Sequence, residues 1–267
     1  MHGLTFAVIA ATVVVVCAGA AEMICPWRPG GIETARRWST NVALFALSYG
    51  LGFAVTPIVA AMAAMVHLSL VRSLNAEVLR LAAAFICLDL LDYALHRASH
   101  RVDWLWRLHQ AHHSDVKLDV TTTFRHHPFE AATTSVVIGG SGLLMGFSIP
   151  EIAIYGAVSV VIQVVAHANV ALPRQLTDLI APVLVTPDFH RIHHSRQWSE
   201  ADTNYGQIFS FWDRMFGSLR VGDAHAVEFG LDPRGKPQYQ RLSALLAQPL
   251  RHAEEQIYPM RAPDGAD

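Results

Sequence analysis

The sequence predicts an all-α protein: an integral-membrane helical bundle with a cytoplasmic, histidine-rich helical cap that gathers two metal ions. Three observations point there. The 267-residue chain is 52% hydrophobic and only 16% charged, with a mean hydropathy of +0.29, whereas soluble domains carry about a quarter charged residues. Its apolar runs reach the roughly 20 residues that a bilayer crossing needs. Eleven of its 15 histidines fall between residues 96 and 194, at spacings that share a helix face.

Taken in order, Leu4 to Met23 is apolar up to Glu22 and reads as a first span. No Lys or Arg precedes it, so the positive start of a secretory signal is missing, although Ala18-Gly19-Ala20 resembles a cleavage site. Cys25 to Thr40 is a polar connector with Pro26, Pro29, Arg28, Arg36 and Arg37. Asn41 to Leu70 is long enough for a tilted span plus an interfacial piece. Ala76 to Leu95 is a further span, with Asp89 and Asp92 near its end. Ala131 to Pro150 and Glu151 to Val170 are both apolar, and Pro150-Glu151 leaves room only for a tight turn, so a helical hairpin is expected. The chain is then one membrane-embedded domain over 1–267. Spans lie in 1–95, a metal-binding cap in 96–130 and 167–222, the hairpin in 131–170 and a polar tail in 223–267. The three arginines of the connector favour the cytoplasmic side. Threading from there gives a multi-pass protein with every histidine cluster facing the cytoplasm.

A net charge of -2 gives no support to a nucleic-acid surface. Three scattered cysteines without C-x-x-C exclude a disulfide framework or a thiolate site. G-x-S-x-G and H-E-x-x-H are absent, and the serines beside His113 and His194 make a poor triad.

The histidines carry the chemistry. His96 and His100 form H-x-x-x-H, and His109, His112 and His113 form H-x-x-H-H. His190, His193 and His194 repeat that second pattern. On a helix, H-x-x-H-H projects three imidazoles toward one point. Several such helices can surround a two-metal centre, as carboxylates do in ferritin-like bundles. Imidazole suits zinc, copper, iron and nickel alike. A ligating histidine usually gives its other N–H to a carboxylate or carbonyl. Asp92, Asp188 and Glu130 are candidates for that role, and Glu130 is also a candidate ligand. His2, His67, His225 and His252 read as ordinary solvated histidines. His126 looks worse placed than His127, and His127 and His167 belong to no spaced cluster.

At these residues the chain resembles the fatty acid hydroxylase / sterol desaturase superfamily, integral-membrane non-haem di-iron oxygenases. The resemblance runs over His96 to His100, Leu105 to Ser114, Arg125-His126-His127-Pro128-Phe129-Glu130, His167-Ala168-Asn169, His190 to Ser195, Asp202 to Gly206 and Phe211 to Gly217. It implies that His127 and His167 join the ligands and that Asn169 belongs near the centre. It also implies two Fe ions, with zinc able to replace them in a preparation, O2 as co-substrate, and a lipid or sterol-like substrate drawn from the bilayer. No H-P-G-G haem segment of the fused cytochrome b5 kind is present, so a separate cytochrome b5-like or ferredoxin-like electron donor is implied. The expected function is an O2-dependent hydroxylase or desaturase with no acid–base residue beyond the metal centre. The rival readings are a membrane metal transporter or store, and a non-catalytic relative.

Overall fold

The computed structural model describes residues 2–29, 34–65, 71, 76–231 and 238–251. The expectations for His67, His252 and much of the polar tail lie outside these residues, as does the side chain of His2. Among the described residues helices are the main element, joined by two isolated bridges, Leu184 to Phe209 and Ser195 to Phe229.

The helices that position the site are α1 (His2–Ile24), α2 (Thr34–Ala64), α3 (Glu77–Arg101), α4 (Asp103–His113), α5 (Pro128–Thr134), α6 (Ser141–Met145), α7 (Ile149–His167), α8 (Arg174–Ile180) and α9 (Pro187–His193). Among the described residues two helical stretches, Ala35–Ala64 and Ile149–His167, are long and apolar enough to cross a membrane. The outward face of α2 carries exposed Phe45, Tyr49, Phe53 and Ile58, a surface that water disfavours and hydrocarbon accepts.

Local chemistry sets the boundaries. α2 begins inside the expected polar connector, because Arg37 is buried there and paired with Asp115 and Asp119. α3 runs unbroken from the expected span through His96 and His100, and stops where Val102 turns extended. The apolar 131–150 stretch is not one regular helix. α5 and α6 are joined by a π-helical turn at Ser135–Gly140, and Gly146 ends α6 with φ +95°, a conformation glycine tolerates best. The reversal therefore falls at residues 146–148 and not at Pro150-Glu151. Ser148 and Glu151 form a reciprocal capping box at the start of α7. Pro150 lies in that first turn, where a missing N–H costs nothing.

The apolar core lies between α3, α6 and α7, around Ala84, Leu88, Ile138, Phe147 and Tyr155. Polar clamps fasten the histidine-bearing segments to it. Asp89 accepts hydrogen bonds from Ile208 N, Phe209 N and Trp212 Nε1, which hangs the 205–212 segment on α3. Glu22 accepts from Val120 N and Asn169 N and so ties the end of α1 to the segments that follow α4 and α7. Part of the expected polar tail is also structural. Leu245 and Gln248 are buried against α2 and α4, and Gln248 Nε2 donates to Gln110 Oε1 at 2.8 Å. The Leu242, Leu245, Leu246 spacing supplies the apolar stripe that drives this packing.

Candidate metal centre

Nine buried histidines from four helices and one helix cap converge in two adjoining groups. His96 and His100 of α3, His109 and His113 of α4 and His193 of α9 form a group of five. His112 of α4, His167 of α7, and His190 and His194 at α9 form a group of four. Each H-x-x-H-H is divided between them, contrary to the single focus expected from sequence. The reason is angular. Residues i and i+4 lie about 40° apart around a helix, while i+3 lies about 100° from i+4. The i, i+4 pair therefore serves one group and the i+3 residue its neighbour. α4 gives two rings to the five and one to the four, and α9 does the reverse.

The rings suit metal ions. In the group of four, the Nε2 of His167 lies 3.2 Å from that of His112, 3.2 Å from that of His194 and 2.9 Å from that of His190. His190 and His194 stand 3.1 Å apart. A tetrahedral ion with bonds of about 2.0–2.1 Å holds its nitrogens about 3.3 Å apart. Backbone carbonyls select the tautomer. Nδ1 donates to Tyr205 O in His96 (2.8 Å), to Thr203 O in His193 (2.7 Å) and to Gln163 O in His167 (2.8 Å). A ring that donates from Nδ1 keeps a bare lone pair at Nε2, and the Nε2 atoms of His96 and His193 are buried with no hydrogen-bond partner. Burial pushes His193 down to about 3 and holds His112, His113, His190 and His194 well below the ordinary histidine range, with neighbouring imidazoles adding to the shift in those four. These five rings are thus neutral, the form that binds metal.

Residues 81–218, more than half of the chain, match the family model described as fatty acid hydroxylase. The chain belongs to the fatty acid hydroxylase family. It is similar to the ornithine lipid hydroxylase OlsE of Rhizobium tropici, 37% identical over 48% of this chain and 38% of that protein. It is also similar to the alkylglycerol monooxygenase of Danio rerio, 30% identical over 55% of this chain and 32% of that protein. A very-long-chain aldehyde decarbonylase, GL1-9 of Oryza sativa, is 27% identical over 51% of this chain and 52% of that protein. The chain thus spans between a third and about half the length of these relatives. No solved structure matches it. The matched region contains all nine converging histidines of this fatty acid hydroxylase family member, and the relatives' names describe oxygenase-type and lipid-directed enzymes.

The remaining expected residues fall in other places. His127 enters neither group. Its Nδ1 accepts from Phe129 N as the cap of α5, and its Nε2 lies 3.3 Å from Leu246 O. His126, the more exposed of the two, is the one turned toward the histidine groups, stacked on His112 with centroids 4.6 Å apart and paired with Glu130. Glu130 takes the partner role: its Oε1 lies 2.6 Å from His109 Nδ1 and leaves His109 Nε2 to face His113 Nε2 at 3.1 Å. Burial alone would raise this carboxyl, but His126 and His109 outweigh it and hold it well below the ordinary carboxylate range.

Asp92 meets no histidine and instead accepts from Tyr155 OH at 3.0 Å. Asp188 pairs with Arg191. Asn169 bonds the backbone of Arg28 and Glu22 caps its N–H. His225 packs against Trp27, away from the centre.

Sequence reasoning missed the three bracing carbonyls, which have no side-chain signature. It also assigned no role to Arg125 and Arg191, which it named only within the resembling runs. Arg125 is fully buried and donates to Ala111 O, Asn41 Oδ1, Ser114 Oγ and Gln240 Oε1, which fixes the end of α4. Arg191 donates to Ala168 O and Val170 O and fixes α9 against the chain leaving α7. The signal available for both was an arginine inside a histidine-rich run.

A cavity of about 320 Å³ opens beside the group of five and is lined in part by His96, His109, His126, Glu130 and Asp92.

Proposed function

We propose that this chain is an O2-dependent lipid hydroxylase, a multi-pass membrane enzyme that turns a C–H bond of a membrane lipid or sterol-like substrate into an alcohol through a histidine-held di-iron centre. The observation that carries the reading is the pair of adjoining imidazole groups, five and four, whose bare nitrogens face one another in a water-poor interior next to a cavity. The lipid hydroxylase and monooxygenase names of its relatives support the same chemistry.

When bound, two iron ions supply the O2 activation that an unactivated C–H bond requires. The balance is R–H + O2 + 2 e⁻ + 2 H⁺ giving R–OH + H2O. The electrons come from a separate cytochrome b5-like or ferredoxin-like protein. The chain's own residues do the rest. The carbonyls of Tyr205, Thr203 and Gln163 hold three rings in one tautomer and orientation, and Glu130 does so for His109. Close burial of the histidines keeps bulk water away. The connector arginines support a cytoplasmic site. Arg37, buried in the cap, is neutralised by Asp115 and Asp119, and Arg28 and Arg36 carry that argument. Zinc can replace iron during purification, because it binds nitrogen sites more tightly than ferrous iron.

The test joins a metal count on the purified protein with lipid mass spectrometry of cells with and without the gene under ¹⁸O2. The expected result is two iron ions per chain and one ¹⁸O atom in one lipid class. Bound metal with no oxygen-dependent change in any lipid would overturn the reading in favour of metal storage or transport.

A further inference from the structure

Between α7 and α9 the chain carries an apolar face that stays uncovered among the described residues. In α8, at about 100° per residue, Leu176, Leu179 and Ile180 fall within about 100° of arc, while Arg174 and Asp178 lie about 40° apart on the far side. Leu179 is 75% exposed, Val183 in the turn after α8 is 50% exposed, and Leu176 shares the face of Leu179 and is exposed with it. Apolar stripes of this kind normally pack inward, so an exposed one marks a surface with a partner. The short helix Phe211–Met215, bonded to the same turn through Arg214, ends in two further exposed apolar residues, Met215 and Phe216.

Two further observations identify the partner. The first is the backbone. A helix end usually leaves its last carbonyls to water, yet here they are bonded within the chain. Ile180 O accepts from Val183 N and Leu184 N, and Val183 O accepts from Ser210 N. Ala181 O accepts from Ser210 Oγ and Arg214 Nη2, and Pro182 O from Arg214 Nη1. An exposed turn in water needs no such partners, whereas one in contact with hydrocarbon does. The second is depth. Leu184 pairs with Phe209, whose N–H is held by Asp89. Asp89 lies about 10 Å along α3 from His96, toward the apolar start of that helix. Leu184 and Phe209 pack on the core cluster that includes Leu88 of α3, and so does Ile162, inside the stretch of α7 able to cross a bilayer. The turn after α8 therefore stands beside the apolar parts of α3 and α7, and its uncovered face continues theirs.

We propose that α8 and the turn after it form an interfacial anchor, lying at the boundary between headgroups and acyl chains in the leaflet next to the histidine groups. Phospholipid acyl chains cover Leu176, Leu179 and Val183, and Arg174 and Asp178, both highly exposed, face the aqueous side. Arg214 serves the turn's carbonyls with its guanidinium and reaches toward the headgroups from its rim. The anchor bears directly on the metal centre. Thr186, just past Val183, caps α9, which carries His190 and His193, so the membrane surface sets where that helix stands. The inference rests on the membrane part of the functional reading and not on its chemistry.

Site-directed fluorescence tests it on the full chain in vesicles of phosphatidylcholine and phosphatidylglycerol. Cys17, Cys25 and Cys87 are first replaced by alanine. Single cysteines are then introduced as Leu179→Cys, Val183→Cys, Asp178→Cys and, on the outward face of α2, Phe53→Cys. These side chains are all exposed, so the fold tolerates the changes, and metal content equal to that of the parent chain checks it. Each cysteine carries an environment-sensitive dye. The dyes at Leu179→Cys and Val183→Cys should be quenched by nitroxide-bearing acyl chains and shielded from aqueous iodide, and the dye at Asp178→Cys should show the reverse. Iodide quenching at Leu179→Cys and Val183→Cys, with lipid quenching kept at Phe53→Cys, overturns the anchor and leaves the membrane reading intact. Lipid quenching at none of these positions, Phe53→Cys included, removes both. Shielding of Leu179→Cys from both quenchers assigns the face to protein, a second copy where two such chains form a disulfide, and overturns the proposal as well.

Discussion

The group of five and the group of four draw on the same two H-x-x-H-H motifs, yet they are held differently. In the group of five, His96 and His193 are braced by backbone carbonyls and His109 by a carboxylate, while the Nδ1 atoms of His100 and His113 are buried with no partner. In the group of four only His167 has such a brace, and the Nδ1 atoms of His112, His190 and His194 are buried with no partner. The five also border the cavity of about 320 Å³, through His96 and His109, and the four do not. The difference assigns the groups unequal duties. On the proposed hydroxylase reading, the braced set faces the substrate with preset geometry, and the less braced set depends on packing and on its ion for orientation.

The largest effect should come from breaking either group. His193→Ala in the five and His190→Ala in the four should each lower product formation by more than about 100-fold. Each should also bring the bound metal from two ions toward one, read by elemental analysis. Retention of both ions in either variant would contradict the partition into two sites. Glu130→Gln acts directly on the group of five, through His109, and reaches the group of four only through His126 stacked on His112. Losing the carboxylate beside His109 should cost about 10- to 100-fold in metal affinity or turnover, while the group of four keeps its ion. A chelator titration followed by metal content should release one ion before the other, the unbraced group first. Simultaneous loss in the parent chain, and an unchanged order in Glu130→Gln, would show that bracing does not set affinity. The smallest effect belongs to the histidine in neither group. His127→Ala should remove a helix cap, at about 1 kcal/mol of stability, visible as a lower melting temperature with metal content intact.

Much of the site was legible because helical spacing converts directly into a shared face. His96 with His100, and the i, i+4 pair of each H-x-x-H-H run, needed nothing else, whereas the i+3 ring of each run joined the other group, against the single focus expected. Three details escaped for physical reasons. Neighbouring histidines diverge when a helix starts at them: Pro128 opens α5, so His127 becomes its cap while His126 turns toward the histidine groups. Asp92 stands one turn before His96 but meets Tyr155 of α7, a partner from another helix that spacing along one helix does not reveal. The bracing oxygens are main-chain atoms of Thr203, Tyr205 and Gln163, and any residue type offers those. The hairpin reversal, by contrast, was available in the Ser148-x-x-Glu151 capping signature, which outweighs a proline compatible with the first turn of a helix.

Composition and periodicity by themselves determined that this chain is helical, rich in bilayer-length apolar runs, and provided with histidines on helix faces, because each of these properties is local and repeats within a few residues. Tertiary structure alone decided which rings lie together, that α4 and α9 each serve both groups, and that a cavity opens beside the five. Those outcomes depend on the angles at which distant helices pack, and these are set by buried clamps such as Asp89, Arg125 and Arg191, whose partners lie many residues away along the chain.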